Sequence, residues 1–337
     1  MSGDSIPVDP AGLGFVVIGR NEGERLSQCL GSLQQIGAPV AYADSASTDD
    51  SVNVARRAGA LVVELDQDRP LNAARGRNAG LAALQNANPG LEFVQFIDGD
   101  CELQAGWVET ALEFLRDHPR AAVACGLRFE AHPDASIYNR LCDEEWNTPI
   151  GRAPSCGGDA MMRLKALDVV GLFDPTLVAG EEPELCSRLR SHGWGIWRLD
   201  AAMTRHDAAM TRFGQWTRRA FRSGVGYAQA WSRTRGRADR LYTSQLRSAV
   251  FWAAVIPLSA IVVAALLRKP SAILVIPAIY ALQIGRIAAR RGLSTGWSWR
   301  YASLMLVAKL PEFLGALSYM LKRDRSAPID YKEAPKS

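Results

Sequence analysis

Residues 93–100 read Phe-Val-Gln-Phe-Ile-Asp-Gly-Asp, a short apolar run that ends directly in two carboxylates, Asp98 and Asp100. An apolar run of this length is typical of a buried strand. In open α/β sheets, ligands bind at the carboxyl ends of the strands, and Mg²⁺ or Mn²⁺ prefers oxygen ligands. The run therefore predicts a strand that presents two metal-binding carboxylates, although Asp-Gly-Asp is also an ordinary turn sequence.

The segments on either side of this run alternate between strand and helix patterns. We predict strands at 14–20, 39–44, 61–66, 93–98, 121–129 and 196–199, and helices at 71–86, 104–117, 163–171 and 183–192. Residues 142–160 show no clear period and are predicted to form loops. This alternation indicates an α/β fold with a mostly parallel sheet and helices on both faces.

The composition is that of an ordinary folded protein. Of 337 residues, 48% are hydrophobic and 22% are charged, which excludes collagen-like, low-complexity and disordered chains. The start of the chain is polar and acidic and shows no signal peptide, and we expect residues 1–12 to be disordered. The six cysteines show no Cys-x-x-Cys pair and no zinc-type spacing, which predicts reduced, cytosolic thiols.

Basic residues concentrate in one segment of the chain. Residues 205–248 hold ten Arg and two Asp, although the formal net charge of the whole chain is only +4. This segment directly precedes the most apolar part of the sequence. We therefore predict basic interfacial helices that bind anionic membrane lipid, and no nucleic acid.

Two apolar runs follow, at 249–267 with 19 uncharged residues and at 270–285 with 16. Because a bilayer core of about 30 Å needs roughly 20 residues, these runs predict a transmembrane hairpin rather than a buried helix of a soluble domain. Arg-rich segments on both outer sides place both ends in the cytosol. A third run, 301–321, contains Lys309 and Glu312, so an amphipathic surface helix is favoured over a third span.

Polar residues also follow other predicted strands. Asn21 and Glu22 follow strand 14–20, Asp44 ends strand 39–44, and Arg77 lies on helix 71–86. Acidic groups at strand ends can accept hydrogen bonds from a base or a ribose, and an Arg can pair with phosphate. Arg77 also fits a solvated helix face, and the residues alone leave both interpretations open.

In their order along the chain, these motifs resemble those of the family 2 glycosyltransferases, which have the GT-A (Rossmann-like) fold. The similarity covers about residues 13–230, and Glu182 stands where the family usually has Asp. The matching segments are VVIGRNE at 16–22, DSASTDDS at 44–51, ARGRNAG at 74–80, the DxD pair Asp98 and Asp100, and GEEPEL at 180–185 with Arg188.

The resemblance implies an inverting transfer of a sugar from a nucleotide-sugar donor, with UDP-sugars favoured and Mn²⁺ or Mg²⁺ as cofactor. It assigns the general base to Glu182, with Glu181 as the alternative. A purely structural role is also open, because acidic residues at the start of a helix stabilise it. The remaining assignments are donor binding by Asn21, Glu22, Asp44, Arg77, Asp98 and Gly99, metal binding by Asp98, Asp100 and His206, and an acceptor loop at Gly157, Gly158 and Asp159. For His206 and for the loop, a structural histidine and a plain turn are the other interpretations.

We therefore predict a GT-A catalytic domain at 13–204, basic interfacial helices at 205–248, a membrane region at 249–321 and a cytosolic tail at 322–337. The expected location is the inner (cytoplasmic) membrane, with the catalytic domain facing the cytosol. The expected acceptor is a lipid-linked or other membrane-associated saccharide, in exopolysaccharide or cell-surface glycan synthesis. A processive polysaccharide synthase and an inactive membrane-docked scaffold are the alternatives. Residues 215–219 are similar to the Gln-x-x-Arg-Trp element of processive synthases, but Arg219 replaces its Trp, which argues against processivity.

Overall fold

The computed structural model of the protein describes residues 10–321. Residues 1–9 of the predicted disordered N-terminus, 1–12, lie outside the described residues. The whole of the predicted cytosolic tail, 322–337, also lies outside them. The described chain divides into two compact units, with the boundary between residues 209 and 210. The first unit therefore extends five residues beyond the predicted end of the catalytic domain at 204.

The first unit alternates strands and helices along most of its length. Its strands are β1 Leu13–Gly19, β2 Val40–Asp44, β3 Leu61–Glu64, β4 Phe93–Asp98, β5 Cys101–Leu103, β6 Ala121–Glu130, β7 Gly151–Arg152, β8 Ala160–Arg163 and β9 Gly195–His206. Its α-helices are α1 Glu24–Gln34, α2 Ser51–Arg57, α3 Ala73–Ala87, α4 Trp107–Asp117, α5 Ile137–Trp146, α6 Leu164–Val170 and α7 Glu181–Ser191. The predicted α/β class is confirmed.

The strands form one mixed sheet in the order β3-β2-β1-β4-β8-β6-β9-β5, with β7 paired to β9. Strands β3, β2, β1 and β4 are parallel, and the register places Gly19 opposite Asp44 and Ile18 opposite Asp98. Strand β8 runs antiparallel to both β4 and β6, so the sheet is less parallel than predicted. Because β1, β2 and β4 end at the same level, their polar C-terminal residues meet at one edge.

Close packing of α3 on the sheet explains the small residues in its sequence. A Cβ on Gly80 would lie 2.6 Å from Cγ1 of Val16 in β1, so only glycine lets the helix approach this strand. Asn72 caps this helix by accepting the Arg75 N–H at 2.9 Å. The helix is thereby held against the strands with its N-terminal half near their carboxyl ends.

Three elements contradict the prediction that residues 142–160 form loops. Helix α5 extends to Trp146, β7 spans Gly151–Arg152, and β8 begins at Ala160. Ser136 caps α5 by accepting hydrogen bonds from two backbone N–H groups. This capping residue, which signals the start of the helix, lies before residues 142–160. Strand β8 is four residues long and is stabilised by pairing on both sides, which no local pattern shows. Strand β9 is also longer than the predicted 196–199, because it pairs with β6 along its length and with β5 and β7 on its other side.

The second unit is helical in the described residues. Its elements are α8 Phe213–Arg233, α9 Thr243–Val250, a π-helical segment Phe251–Val255, α10 Ile256–Leu266, a 3₁₀ segment Pro270–Leu274, α11 Val275–Arg291, α12 Gly296–Val307 and α13 Lys309–Leu321. Within the described chain, three continuous helices are long and apolar enough to cross a membrane, namely Thr243–Leu266, Pro270–Arg291 and Gly296–Leu321. The first two contain the predicted hairpin.

The third apolar helix packs more of its surface inside the unit than the other two. In the most apolar 18-residue stretch of each helix, 39% of the third is buried, compared with 17% of the first and 6% of the second. Gly224 of α8 and Gly315 of α13 lie at the contact, where an added Cβ on either would overlap backbone of the facing helix. Two of the three charged residues in this helix pair with each other, since Lys309 Nζ lies 2.8 Å from Glu312 Oε2. Its placement on the membrane surface stays a prediction.

Candidate active site

The Asp98–Asp100 turn is held from both sides by neighbouring backbone and side-chain groups. The Gly99 N–H donates to the Ile18 carbonyl at 2.8 Å, and a Cβ on Gly99 would lie 3.1 Å from that oxygen. The Asp98 N–H donates to Asp159 Oδ1 at 2.9 Å. These two bonds fix the peptide units on either side of the Asp98 side chain and so orient its carboxylate.

The Asp98 carboxylate lies between two arginines. Arg77 Nη2 is 3.0 Å from Asp98 Oδ1, and Arg128 Nη2 is 3.5 Å from Asp98 Oδ2. Burial by itself would raise the pKa of Asp98, but the two guanidinium groups outweigh it and lower that pKa. Arg77 also donates from Nη1 to Glu181 Oε1 at 2.8 Å, and its side chain is only 3% exposed. Arg77 is therefore a buried bridge between two acids rather than part of a solvated helix face.

Asp100 meets His206 across two antiparallel strands. Strand β5 pairs with β9 so that Cys101 lies opposite His206, and Asp100 Oδ1 comes within 3.4 Å of His206 Nε2. The other ring nitrogen, Nδ1, lies 3.7 Å from Glu130 Oε2. Burial disfavours the charged ring, yet the Asp100 carboxylate favours it more strongly, and the pKa of His206 is raised.

The cluster around Asp100 has the chemistry of a metal site. The Asp100 carboxylate, the Cys101 thiol and the His206 ring each place one donor atom within 4.8 Å of the others. A carboxylate oxygen and an imidazole nitrogen suit Mn²⁺, and the thiol suits it less well. Because Asp98 is already held by two arginines, Asp100 and His206 fit a hard cation better than Asp98 does.

Glu181 and Glu182 begin α7 and point to different partners. Gly180 precedes them with φ of 82°, a left-handed conformation that favours glycine. Glu181 pairs with Arg77, whereas Glu182 Oε1 accepts the Cys156 N–H at 2.6 Å. Glu182 is 6% exposed, and its burial raises the pKa more than its hydrogen bonds lower it.

The predicted acceptor loop lies directly against Asp98. Gly157 is exposed with φ of +84°, and a Cβ on Gly158 would lie 2.9 Å from Asp98 Oδ2 and 3.0 Å from Arg77 Nη2. Asp159 is 1% exposed and accepts the Thr204 hydroxyl at 2.9 Å in addition to the Asp98 N–H. Asp159 therefore anchors the loop to β4, while the two glycines form its accessible part.

The predicted donor-binding residues after β1 and β2 form a connected network. Asn21, with φ of 54°, accepts the Thr48 N–H at 2.7 Å and donates its own N–H to Ser47 Oγ at 2.9 Å. Ser47 donates its hydroxyl to Asp44 Oδ1 at 2.5 Å, which links the two segments through Asn21. Glu22 is buried and lies 3.0 Å from an Arg25 nitrogen. The two motifs therefore form one surface beside the Asp98–Asp100 turn.

Three residues of the site were not predicted from the sequence. Arg128 lies near Asp98, its guanidinium carbon is 4.8 Å from the ring centre of Trp146, and Trp146 also contacts His206 edge-on at 4.7 Å. Glu130, two residues after Arg128, faces the His206 ring. The alternation within β6 could have placed 128 and 130 on one face, whereas Trp146 fell in a segment interpreted as loops.

A cavity of about 200 Å³ lies beside Asp100 in the first unit. Its wall includes Arg25 and Arg205 as well as Asp100, Glu102 and Asp207, so charges of both signs line it. Such a lining suits a small polar or charged ligand.

The chain is similar to known proteins in sequence and in fold. Residues 15–163 match the family model described as "Glycosyl transferase family 2". The pre-mycofactocin glycosyltransferase of Mycobacterium tuberculosis is 30% identical over 164 residues, and the match covers 45% of this chain and 33% of that relative. The chain thus spans about a third of the length of the curated relatives it matches.

A solved structure shares the fold over almost the whole chain. The mannosyltransferase PcManGT from Pyrobaculum calidifontis, in complex with GDP-Man and Mn²⁺, superposes with a TM-score of 0.61 at 17% identity. The superposition covers 92% of this chain and 88% of that one. The α/β GT-A fold that the motifs indicated is thereby confirmed, and residues 15–163 match the family 2 glycosyltransferase model.

Proposed function

We propose that the protein is an inverting glycosyltransferase that moves one sugar from a nucleotide-sugar donor to a saccharide acceptor held at a membrane. The observation that carries this proposal is the convergence of Asp100 and His206, 3.4 Å apart, at the strand ends of a family 2 domain. Asp98 and Gly158 are in van der Waals reach of each other next to this pair. A metal-type site and a candidate acceptor loop thus share one edge of the sheet.

We assign Asp100 and His206 as the ligands of a divalent cation, Mn²⁺ or Mg²⁺. An ion held there supplies positive charge to the diphosphate leaving group. The Mn²⁺ that accompanies GDP-Man in the Pyrobaculum calidifontis structure supports a divalent cation as the cofactor. We retain Asp98 as a donor-binding residue, whose carboxylate Arg77 and Arg128 hold in position, and we propose that Arg77 acts on the donor through Asp98.

Glu182 is the better candidate for the general base. A carboxylate with a raised pKa takes up a proton more readily, and burial raises the pKa of Glu182. Glu181 is instead paired with Arg77 at 2.8 Å, so one of its carboxylate oxygens is already engaged. Glu182 also bonds to the backbone of Cys156, the residue before the exposed Gly157, and so lies directly under the loop proposed to receive the acceptor.

The helical second unit supports an acceptor bound at a membrane. Three helices of the described residues qualify as spans, and ten arginines precede or begin them in 205–248. Basic flanks favour the cytosolic side and anionic lipid. We therefore propose an inner-membrane enzyme with a cytosolic active site and a lipid-linked saccharide acceptor, in exopolysaccharide or cell-surface glycan synthesis.

A donor screen tests this function directly. The full chain in detergent is incubated with Mn²⁺ or Mg²⁺ and a panel of nucleotide sugars that includes UDP- and GDP-sugars, and the released nucleoside diphosphate is measured. We expect metal-dependent release from one donor class, abolished in Asp100→Asn and kept in Asp117→Asn, which changes an exposed acid at the end of α4.

The product of that reaction separates the remaining alternatives. The anomeric configuration, read by NMR, is expected to be inverted, and a single added sugar on a gel excludes a processive synthase. Failure of every donor to bind, measured by calorimetry with either metal, would leave the inactive scaffold as the correct description.

A further inference from the structure

Cys156, Glu182 and Cys186 form a compact buried cluster apart from the Asp100–His206 pair. Both thiols donate to Glu182 Oε1, each at 3.0 Å, and the two sulfurs are 3.7 Å apart. Glu182 and Cys186 lie one turn apart on α7, and Cys156 comes from the loop before β8. Glu182 is 6% exposed, Cys156 is 2% exposed and Cys186 is fully buried, so the cluster is closed off from bulk water.

The separation of the two sulfurs matches that of two thiolate ligands around a tetrahedral zinc ion. Two thiolates at about 2.3 Å from such an ion lie about 3.8 Å apart, and the observed sulfur separation is 3.7 Å. A carboxylate oxygen at about 2.0 Å from the ion would lie about 3.5 Å from each sulfur. The observed separations are 3.0 Å, so the Glu182 side chain would need to withdraw by about half an ångström.

We propose that Cys156, Glu182 and Cys186 form an inhibitory zinc site. The proposal deepens the proposed function, because it rests on Glu182 acting as the general base of the transfer. Zinc displaces one proton from each thiol and binds the carboxylate, with no change of oxidation state. A carboxylate bound to zinc no longer accepts the proton of an acceptor hydroxyl, so the occupied site is inactive.

The chemistry of the cluster separates it from the proposed Mn²⁺ or Mg²⁺ site. Thiolate ligands select zinc and other soft ions, whereas Mg²⁺ and Mn²⁺ prefer oxygen. Burial raises the pKa of Cys186 to about 11, so zinc must compete with the thiol protons and binds more tightly as pH rises. A zinc ion would have only a short path from solvent to the cluster, because exposed Gly157 directly follows Cys156.

Cobalt replaces zinc as a spectroscopic probe in the test. Co²⁺ is added to the full chain in detergent, kept reduced with a phosphine. We expect a thiolate-to-cobalt charge-transfer absorption that saturates at one equivalent and disappears when Zn²⁺ is added. Cys186→Ser and, as a second variant, Cys156→Ser remove the absorption, whereas the matched control Cys101→Ser, which changes the thiol next to Asp100, keeps it.

Activity provides the second part of the test. With excess Mn²⁺, Zn²⁺ inhibits sugar transfer by the unmodified protein, and Cys186→Ser raises the inhibitory concentration at least about tenfold. Absence of the absorption, or its loss only in Cys101→Ser, overturns the zinc site. An absorption with the expected variant pattern in a protein that uses no donor supports the site and refutes the proposed function instead.

Discussion

A methyl group on Gly158 is expected to disturb the site without disturbing the fold. The backbone of Gly158 lies outside the positive-φ region, so alanine is conformationally allowed there. Its Cβ would, however, lie 2.9 Å from Asp98 Oδ2 and 3.0 Å from Arg77 Nη2, where ordinary contact begins near 3.4 Å. The overlap is therefore about half an ångström.

The atoms facing Gly158 have little freedom to move away. The Asp98 carboxylate is held by Arg77 at 3.0 Å and by Arg128 at 3.5 Å, and its N–H is bonded to Asp159. The loop must therefore shift instead. Since a misplacement of 1 Å can cost about 100-fold in rate, half of that predicts a loss of about tenfold, or about 1.4 kcal/mol in the barrier.

The assay is the rate of transfer from the donor found in the screen, at saturating metal, for Gly158→Ala and for Gly31→Ala. Gly31 lies on α1 with nothing within 4 Å of its added Cβ, so this control should transfer at the unmodified rate. An unchanged rate in a folded Gly158→Ala protein would show that the loop does not need its contact with Asp98, and the reasoning would be refuted.

Three further predictions concern Asp100, Glu182 and Gly224. Asp100→Asn is expected to weaken the apparent Mn²⁺ affinity at least about tenfold in a metal titration. In the unmodified protein, that affinity should fall as the pH drops through the raised pKa of His206, because a proton competes with the metal for the ring nitrogen. Glu182→Gln should stop transfer while calorimetry still detects donor binding, and the unmodified rate should fall on acidification at a pH above the ordinary glutamate value of 4.5. Gly224→Ala should lower the midpoint of thermal unfolding, since its Cβ would overlap a backbone carbonyl of α13, whereas Gly214→Ala, with open space around it, should not.

Local sequence signals located the strands and turns that carry the site. The runs ending at Gly19, Asp44 and Asp98 are apolar and short, and each is followed by polar or turn-forming residues. Because these signals depend on neighbours in sequence, the predicted ends of β2 and β4 agree with the observed ones at Asp44 and Asp98. The DxD carboxylates were therefore identifiable without coordinates.

Elements stabilised by distant partners were missed. Strand β8 is held between β4 and β6, and its four residues carry no periodic pattern long enough to recognise. Arg128 becomes part of the site only because its side chain reaches Asp98 and Trp146, which lie on other elements. Contacts between residues far apart in sequence are set by the packing of the sheet. The local pattern of residue types along the chain does not show which distant residues will meet.

From its own pattern the sequence determined the α/β class, the family resemblance, the paired carboxylates at 98 and 100 and the apolar helices, since each depends on residue types at short spacing. Only the tertiary structure decided that Arg77 is buried between two acids and that Asp100 faces His206. It also gathered Cys156, Glu182 and Cys186, although no metal-type spacing links them in sequence. Burial and ångström-scale distances arise when separate elements pack together, and they set both the pKa values and the ligand geometry of these groups.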